Sequence, residues 1–175
     1  NGHLGVVTRD SDFHIGERGR LVFVHSPDGG ESWSHSIVIS EEGSDNRNPA
    51  FGVTSKGTLL ASFIKQVNYT DGVYLPGNTE DIPIKPTPLY LSRSEDHGKT
   101  WTTELAKVDG NDEFIVGSPF GKMLTLSDGR IMMHYHLHGL TAFITSDDEG
   151  HTWGKSTVIS DGGYNETGLC DLGDG

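Results

Sequence analysis

Two groups of residues in this sequence have the types and spacing to do chemistry. His134, His136 and His138 alternate, so a strand through them turns all three imidazoles to one face. Three such rings could ligate zinc; the preferred reading is a strand that faces an inner channel or packs polar groups between sheets. The second group is carboxylates and guanidiniums held in short polar segments. Arg9, Asp10 and Asp12 lie within Thr8 to His14, Asp45, Arg47 and Asn48 precede Pro49, and Asn165 and Glu166 follow Tyr164. Carboxyl groups serve as general acids and bases, and the guanidinium fork pairs bidentately with a carboxylate ligand. Each also has a structural reading. Asp12 fits a solvated loop, Glu166 a strand edge, Arg47 a turn before Asn48-Pro49, and Arg9 a salt bridge to Asp10 or Asp12.

The elements that must carry these groups are strands. Short apolar or alternating runs recur at 4–8, 21–25, 36–39, 58–64, 89–92, 131–135 and 142–145, separated by turn formers such as Asp28-Gly29-Gly30 and Ser127-Asp128-Gly129. No window shows a 3.6-residue apolar stripe, so the fold class is all-β. An internal repeat organises the strands. Ser26 to Trp33, Ser94 to Trp101 and Ser146 to Trp153 share one frame, with Ser first, Asp third, Gly fifth, Ser or Thr seventh and Trp eighth. All three Trp residues of the chain fall in these frames. The physical expectation is a hairpin turn in which Asp accepts backbone N–H bonds, Gly takes a positive φ, and Trp plugs the space between strands. Sugar stacking by Trp or metal binding by Asp is the less favoured alternative.

Around each frame four strands recur in a unit the size of a propeller blade. This divides the chain into the rear of a first blade (1–45), a second blade (46–109), a third (110–162) and the start of a fourth (163–175). A 22-residue insertion from Val67 to Pro88, carrying four Pro, is expected on one rim. Both ends fall inside blades, which predicts about half of a larger closed ring. A strand is expected over 168–172, with Cys170 packed as a small buried hydrophobe.

Composition removes other classes. With 25 acidic against 13 basic residues the net charge is −12, which repels a phosphate backbone and argues against nucleic acid. One Cys among 175 residues excludes an internal disulfide and a Cys-based zinc site. No apolar run approaches the length of a membrane-spanning helix, and no secretory leader stands within these residues.

The frame Ser-x-Asp-x-Gly-x-Ser/Thr-Trp is the Asp-box, or bacterial neuraminidase repeat, and the chain resembles the sialidase superfamily over nearly its whole length. The resemblance implies a six-bladed β-propeller, of which about three blades are present. Two segments are similar to sialidase active-site positions. The connection Thr8 to His14 matches the one that carries the acid/base Asp, with Asp12 the best match and Asp10 its competitor. Tyr164-Asn165-Glu166-Thr167 is similar to the Asn-Glu-Thr/Ser segment whose Glu activates a Tyr nucleophile. The resemblance makes Arg9, Arg47, Asn48 and Asn165 substrate-binding groups. It implies no cofactor, a sialoside or another acidic glycan as partner, and an extracellular or periplasmic protein.

The chain departs from the family pattern as well. The Arg-Ile-Pro segment, the second and third Arg of the carboxylate-binding triad and the Tyr nucleophile have no match in these 175 residues. The 175-residue chain alone is therefore expected to be inactive, and self-association of the half-ring is an open expectation. The expected activity of the whole is retaining release of terminal sialic acid. The alternatives are a propeller hydrolase for another acidic sugar, in which the histidines could take part, and a non-catalytic Asp-box propeller that binds glycan or protein. Asn68-Tyr69-Thr70 and Asn165-Glu166-Thr167 fit the glycosylation sequon and are taken as incidental.

Overall fold

The computed structural model describes residues 2–12, 14, 18–40, 44–66, 69–70, 73–74, 87–109, 115–137, 139–164 and 166–173. Every regular element among them is a strand. The first sheet is an antiparallel meander of β1 (Leu4–Asp10), β2 (Arg20–Ser26) and β3 (Ile37–Val38). The second is built on β4 (Asp45–Val53) and β5 (Leu59–Gln66). A small hairpin of β6 (Tyr69–Thr70) and β7 (Val73–Tyr74) follows. β8 (Thr87–Ser94) and β9 (Thr102–Leu105) then complete the order β4-β5-β8-β9. β10 (Ile115–Val116) pairs with β8. The third sheet is β14 (Ile131–Leu137), β15 (Leu140–Ser146) and β16 (Thr157–Ser160), with β11 (Ser118–Pro119) and β13 (Leu124–Thr125) along one edge of β14. β12 (Gly121–Lys122) runs parallel to β4 at Ala50 and Phe51 and so ties the third sheet to the second.

The core lies between sheets. Side chains alternate along β5, so Leu60 points to one face while Ala61 and Phe63 point to the other. Leu60 joins Leu89, Leu91, Met123, Ile131, Met133, Ile144 and Trp153 in a cluster shared with the third sheet. Ala61 and Phe63 join Leu21, Phe23 and Ile39 of the first. Both faces of the second sheet are therefore covered.

The repeated frames fold as expected. Each Asp carboxylate accepts the amide four residues on, Ser32 to Asp28 at 2.9 Å, Thr100 to Asp96 at 2.9 Å and Thr152 to Asp148 at 2.8 Å. The leading Ser accepts the Gly amide, as Gly98 donates to Ser94 at 2.8 Å. Hydroxyl and amide donors from Ser32 and Thr100 hold the Asp28 and Asp96 carboxyls well below the usual carboxylate range. Gly98 has a φ of 86°, and a Cβ there would stand 2.2 Å from the Phe23 ring of the first sheet. The frame is thus a turn and also a contact with the sheet before it.

Residues 118–125 form three short strands, of which β12 leaves the third sheet to pair with β4, because Pro119 cannot donate to a ladder and Gly121 takes a φ of 72°. Two expectations need correction. No strand forms over 168–172, and Cys170 is exposed. No described strand lies alongside that segment to supply ladder bonds. Most of the insertion 67–88 lies outside the described residues, as does Asn68.

Candidate functional site

Asp45 opens β4 and is fully buried. Its Oδ1 takes Arg9 Nε at 2.7 Å and Arg9 Nη2 at 2.6 Å, and its Oδ2 takes Arg47 Nη1 at 3.4 Å. One carboxylate thus orients two guanidiniums brought in from different sheets. The chain at Gly19 makes room for this. A Cβ at that position would fall 2.0 Å from Asp45 Oδ1 and 2.4 Å from Arg9 Nε. The Gly19 carbonyl in turn accepts the Asn46 amide at 2.8 Å and Asn46 Nδ2 at 2.9 Å. Arg9 is thus paired with Asp45, 36 residues away, where the sequence offered Asp10 or Asp12. Asp10 pairs instead with Arg20 at 2.8 Å.

β4 breaks its ladder with β5 between Arg47 and Ala50. Pro49 has no N–H to give, and Asn48 sits at a φ of 52°, which Asn tolerates better than most residues. At the bulge the half-buried Asn48 donates from Nδ2 to Ser118 Oγ on β11. Ser118 lies opposite His136 in the β11–β14 pairing.

β14 sends Ile131, Met133 and Tyr135 into the core shared with the second sheet. Alternation therefore puts His134 and His136 on its far face. His134 is fully buried, and its Nε2 contacts the Thr167 carbonyl. Burial pushes its pKa below 6.5, with the Thr167 carbonyl acting in the opposite sense. His136 is lowered by burial too, against the charge of Glu166, which favours its protonated form, while His134 adds to the lowering. Glu166 is exposed and takes a φ of 38°. His138 and Asn165 lie outside the described residues. Among the described residues, no three His, Cys, Asp or Glu side chains gather as metal ligands would.

Arg9 and Arg47 meet on Asp45, and Asn48 meets Ser118, whose strand-register partner His136 feels the charge of Glu166. These groups follow one edge of the three sheets, where β1 and β14 end and β4 and β11 begin. Asp12 follows the end of β1 by two residues and is exposed. Sequence reasoning missed Asp45 as the shared counter-ion, Ser118 as the partner of Asn48, and the tie from His134 to Thr167. The one available signal was Asp45 at the head of the polar run before Pro49. An open groove of about 610 Å³ between the first and second sheets, lined by Val38, Phe63, Lys65, Tyr90, Trp101 and others, includes none of these residues.

Comparison with solved structures places the architecture. The Hadza microbial sialidase Hz136 matches 89% of this chain with a TM-score of 0.69 at 21% identity. The NanB sialidase of Streptococcus pneumoniae matches 91% with a TM-score of 0.64 at 14% identity. The fold is sialidase-like. A protein of unknown function from Dyadobacter fermentans shares it, with a TM-score of 0.59 over 89% of this chain at 20% identity. The chain spans 36% of Hz136, 42% of NanB and 50% of the Dyadobacter protein. No family model matches it, and no curated protein does. Likeness at these identities carries the fold, while chemistry rests on the site itself.

Proposed function

We propose that this chain is part of a retaining glycoside hydrolase that removes a terminal acidic sugar, sialic acid in the first place, from a glycan. The observation that carries the proposal is the gathering of Arg9, Asp45, Arg47, Asn48, His136 and Glu166 along one edge of a sialidase-like fold. The parent fold is a six-bladed propeller, with residues 1–45, 46–109, 110–162 and 163–175 contributing to four successive blades. Arg9, Arg47, Asn48 and Asn165 line the sugar pocket. Asp12 is the general acid that protonates the leaving oxygen, and as a carboxylate it later activates water. A sialoside carries a carboxylate at the reacting carbon, which repels an anionic nucleophile; a neutral Tyr hydroxyl avoids this. That Tyr, supplied by the longer protein, attacks the anomeric carbon while Glu166 takes its proton, and a covalent glycosyl-enzyme forms and is then hydrolysed. The protein works outside the cytoplasm, where such glycans are found.

The test is release of free sugar by the full-length protein from a fluorogenic sialoside. Asp12→Asn and Glu166→Gln are each expected to lower kcat by about 10²–10⁴-fold, as for loss of a general acid or base. Absence of release from sialosides, with release from uronides, moves the substrate to another acidic sugar. That second reading draws on the paired histidines beside Glu166. Absence of release from both leaves a glycan- or protein-binding module and sinks the hydrolase.

A further inference from the structure

The mechanism above makes no use of His134, although it is a fully buried imidazole at the edge of the site. We propose that His134 is a positioning residue for Glu166: its ring, fixed in the third sheet, donates from Nε2 to the Thr167 carbonyl and holds the backbone that carries the Glu166 carboxylate. The proposal rests on the assignment above in one respect, that this carboxylate is used.

The segment needs such a hold. Residues 166–173 join no strand. Upstream, the Gly163 and Tyr164 amides donate to the Gly139 carbonyl at 3.0 and 3.1 Å, which anchors the approach at the β14–β15 turn. Beyond that turn, Glu166 lies at a φ of 38°, in the left-handed region that residues with a Cβ avoid unless their surroundings impose it. Among the described residues, the contact between His134 and Thr167 is the tie nearest that residue.

The donor and acceptor roles are settled by elimination. A carbonyl only accepts, so His134 Nε2 carries the hydrogen. Nδ1 of the same ring is buried with no hydrogen-bond partner, and a proton there would leave an unpaired N–H in the interior. The ring is thus the neutral Nε2–H tautomer. His136 Nδ1, Thr141 Oγ1 and Thr167 Oγ1 are likewise buried without partners. Thr141 faces His136 across the β14–β15 pairing.

Two variants in the full-length protein test the role. His134→Phe keeps the ring volume and loses the donor; His134→Gln keeps a donor at the same reach. We expect Phe to speed amide exchange over 166–168 by about tenfold, the size of one hydrogen bond to a held segment. It should lower kcat on the acidic glycoside with little change in KM, and Gln should restore both. Side-chain ¹⁵N spectra of the parent should show His134 protonated at Nε2 alone. Unchanged exchange in the Phe variant, or a proton on Nδ1, overturns the proposal. If the parent releases no acidic sugar, the hydrolase assignment fails by itself, while exchange and the tautomer still decide this one.

Discussion

At the scale of single residues, the candidate site is governed by burial. Asp45 is inaccessible to water, and two guanidiniums from distant parts of the chain compensate it. Such a group adds little net stability but is costly to strip of its partners. Arg9 was legible as one half of an ion pair. Its true partner, 36 residues away, was not, because sequence proximity favours Asp10 and Asp12. The histidines give a prediction with a definite sign. Burial depresses the pKa of His134 and His136 below the ordinary 6.5. Above that value the folded and unfolded chains are both neutral at these rings, and pH has no effect through them. Below it the unfolded chain takes up protons that the native rings refuse, so stability falls as pH drops. Urea unfolding is therefore expected to show a midpoint that declines from about pH 7 to about pH 5, before the carboxylates titrate. A His134→Gln, His136→Gln double variant should lose most of that decline. An equally steep decline in the variant would assign the effect to other groups.

At the scale of the element, the Asp-box turn does two jobs. Within the turn, Asp and Ser side chains satisfy the amides, which the sequence pattern made plain. Between sheets, the Gly and Trp of the second and third frames pack on the sheet before them, while the first frame has none, so the three copies differ. Trp153 is 2% exposed within the second sheet's core, and Trp101 meets the Phe23 ring edge-on at 5.4 Å. Trp33 has no such sheet before it in this chain and is 46% exposed. Identical motifs therefore carry different energies. Trp153→Ala is expected to cost about 3–5 kcal/mol, as for a large buried aromatic, while Trp33→Ala in the same chain should stay within about 1 kcal/mol, as for a surface change. Thermal unfolding of both variants checks this; equal losses would mean that the turn, and not the contact between sheets, sets the value of the Trp.

At the scale of the whole molecule, the second sheet is the structural centre. β5 pairs on both sides, and alternate residues along it serve two different clusters, so its opening requires both to come apart. Hydrogen exchange is expected to be slowest at Leu60 to Ile64 and much faster at β1 and β3, which have one covered face; protection at β1 equal to β5 would show that all three sheets open as one unit. By itself the sequence determined the all-β class, the three turns and most strand positions. Those depend on period-two alternation, on Gly and Pro, and on contacts within eight residues. It also placed the groups of the candidate site in three short polar segments. Only the tertiary structure decided which partner each group takes: Asp45 for Arg9, Ser118 for Asn48, Thr167 for His134. The same holds for Cys170, which is exposed, with no described strand beside it. Pairings of this kind join residues tens of positions apart, and they form where stacked sheets bring their edges together and exclude water, which no local pattern encodes.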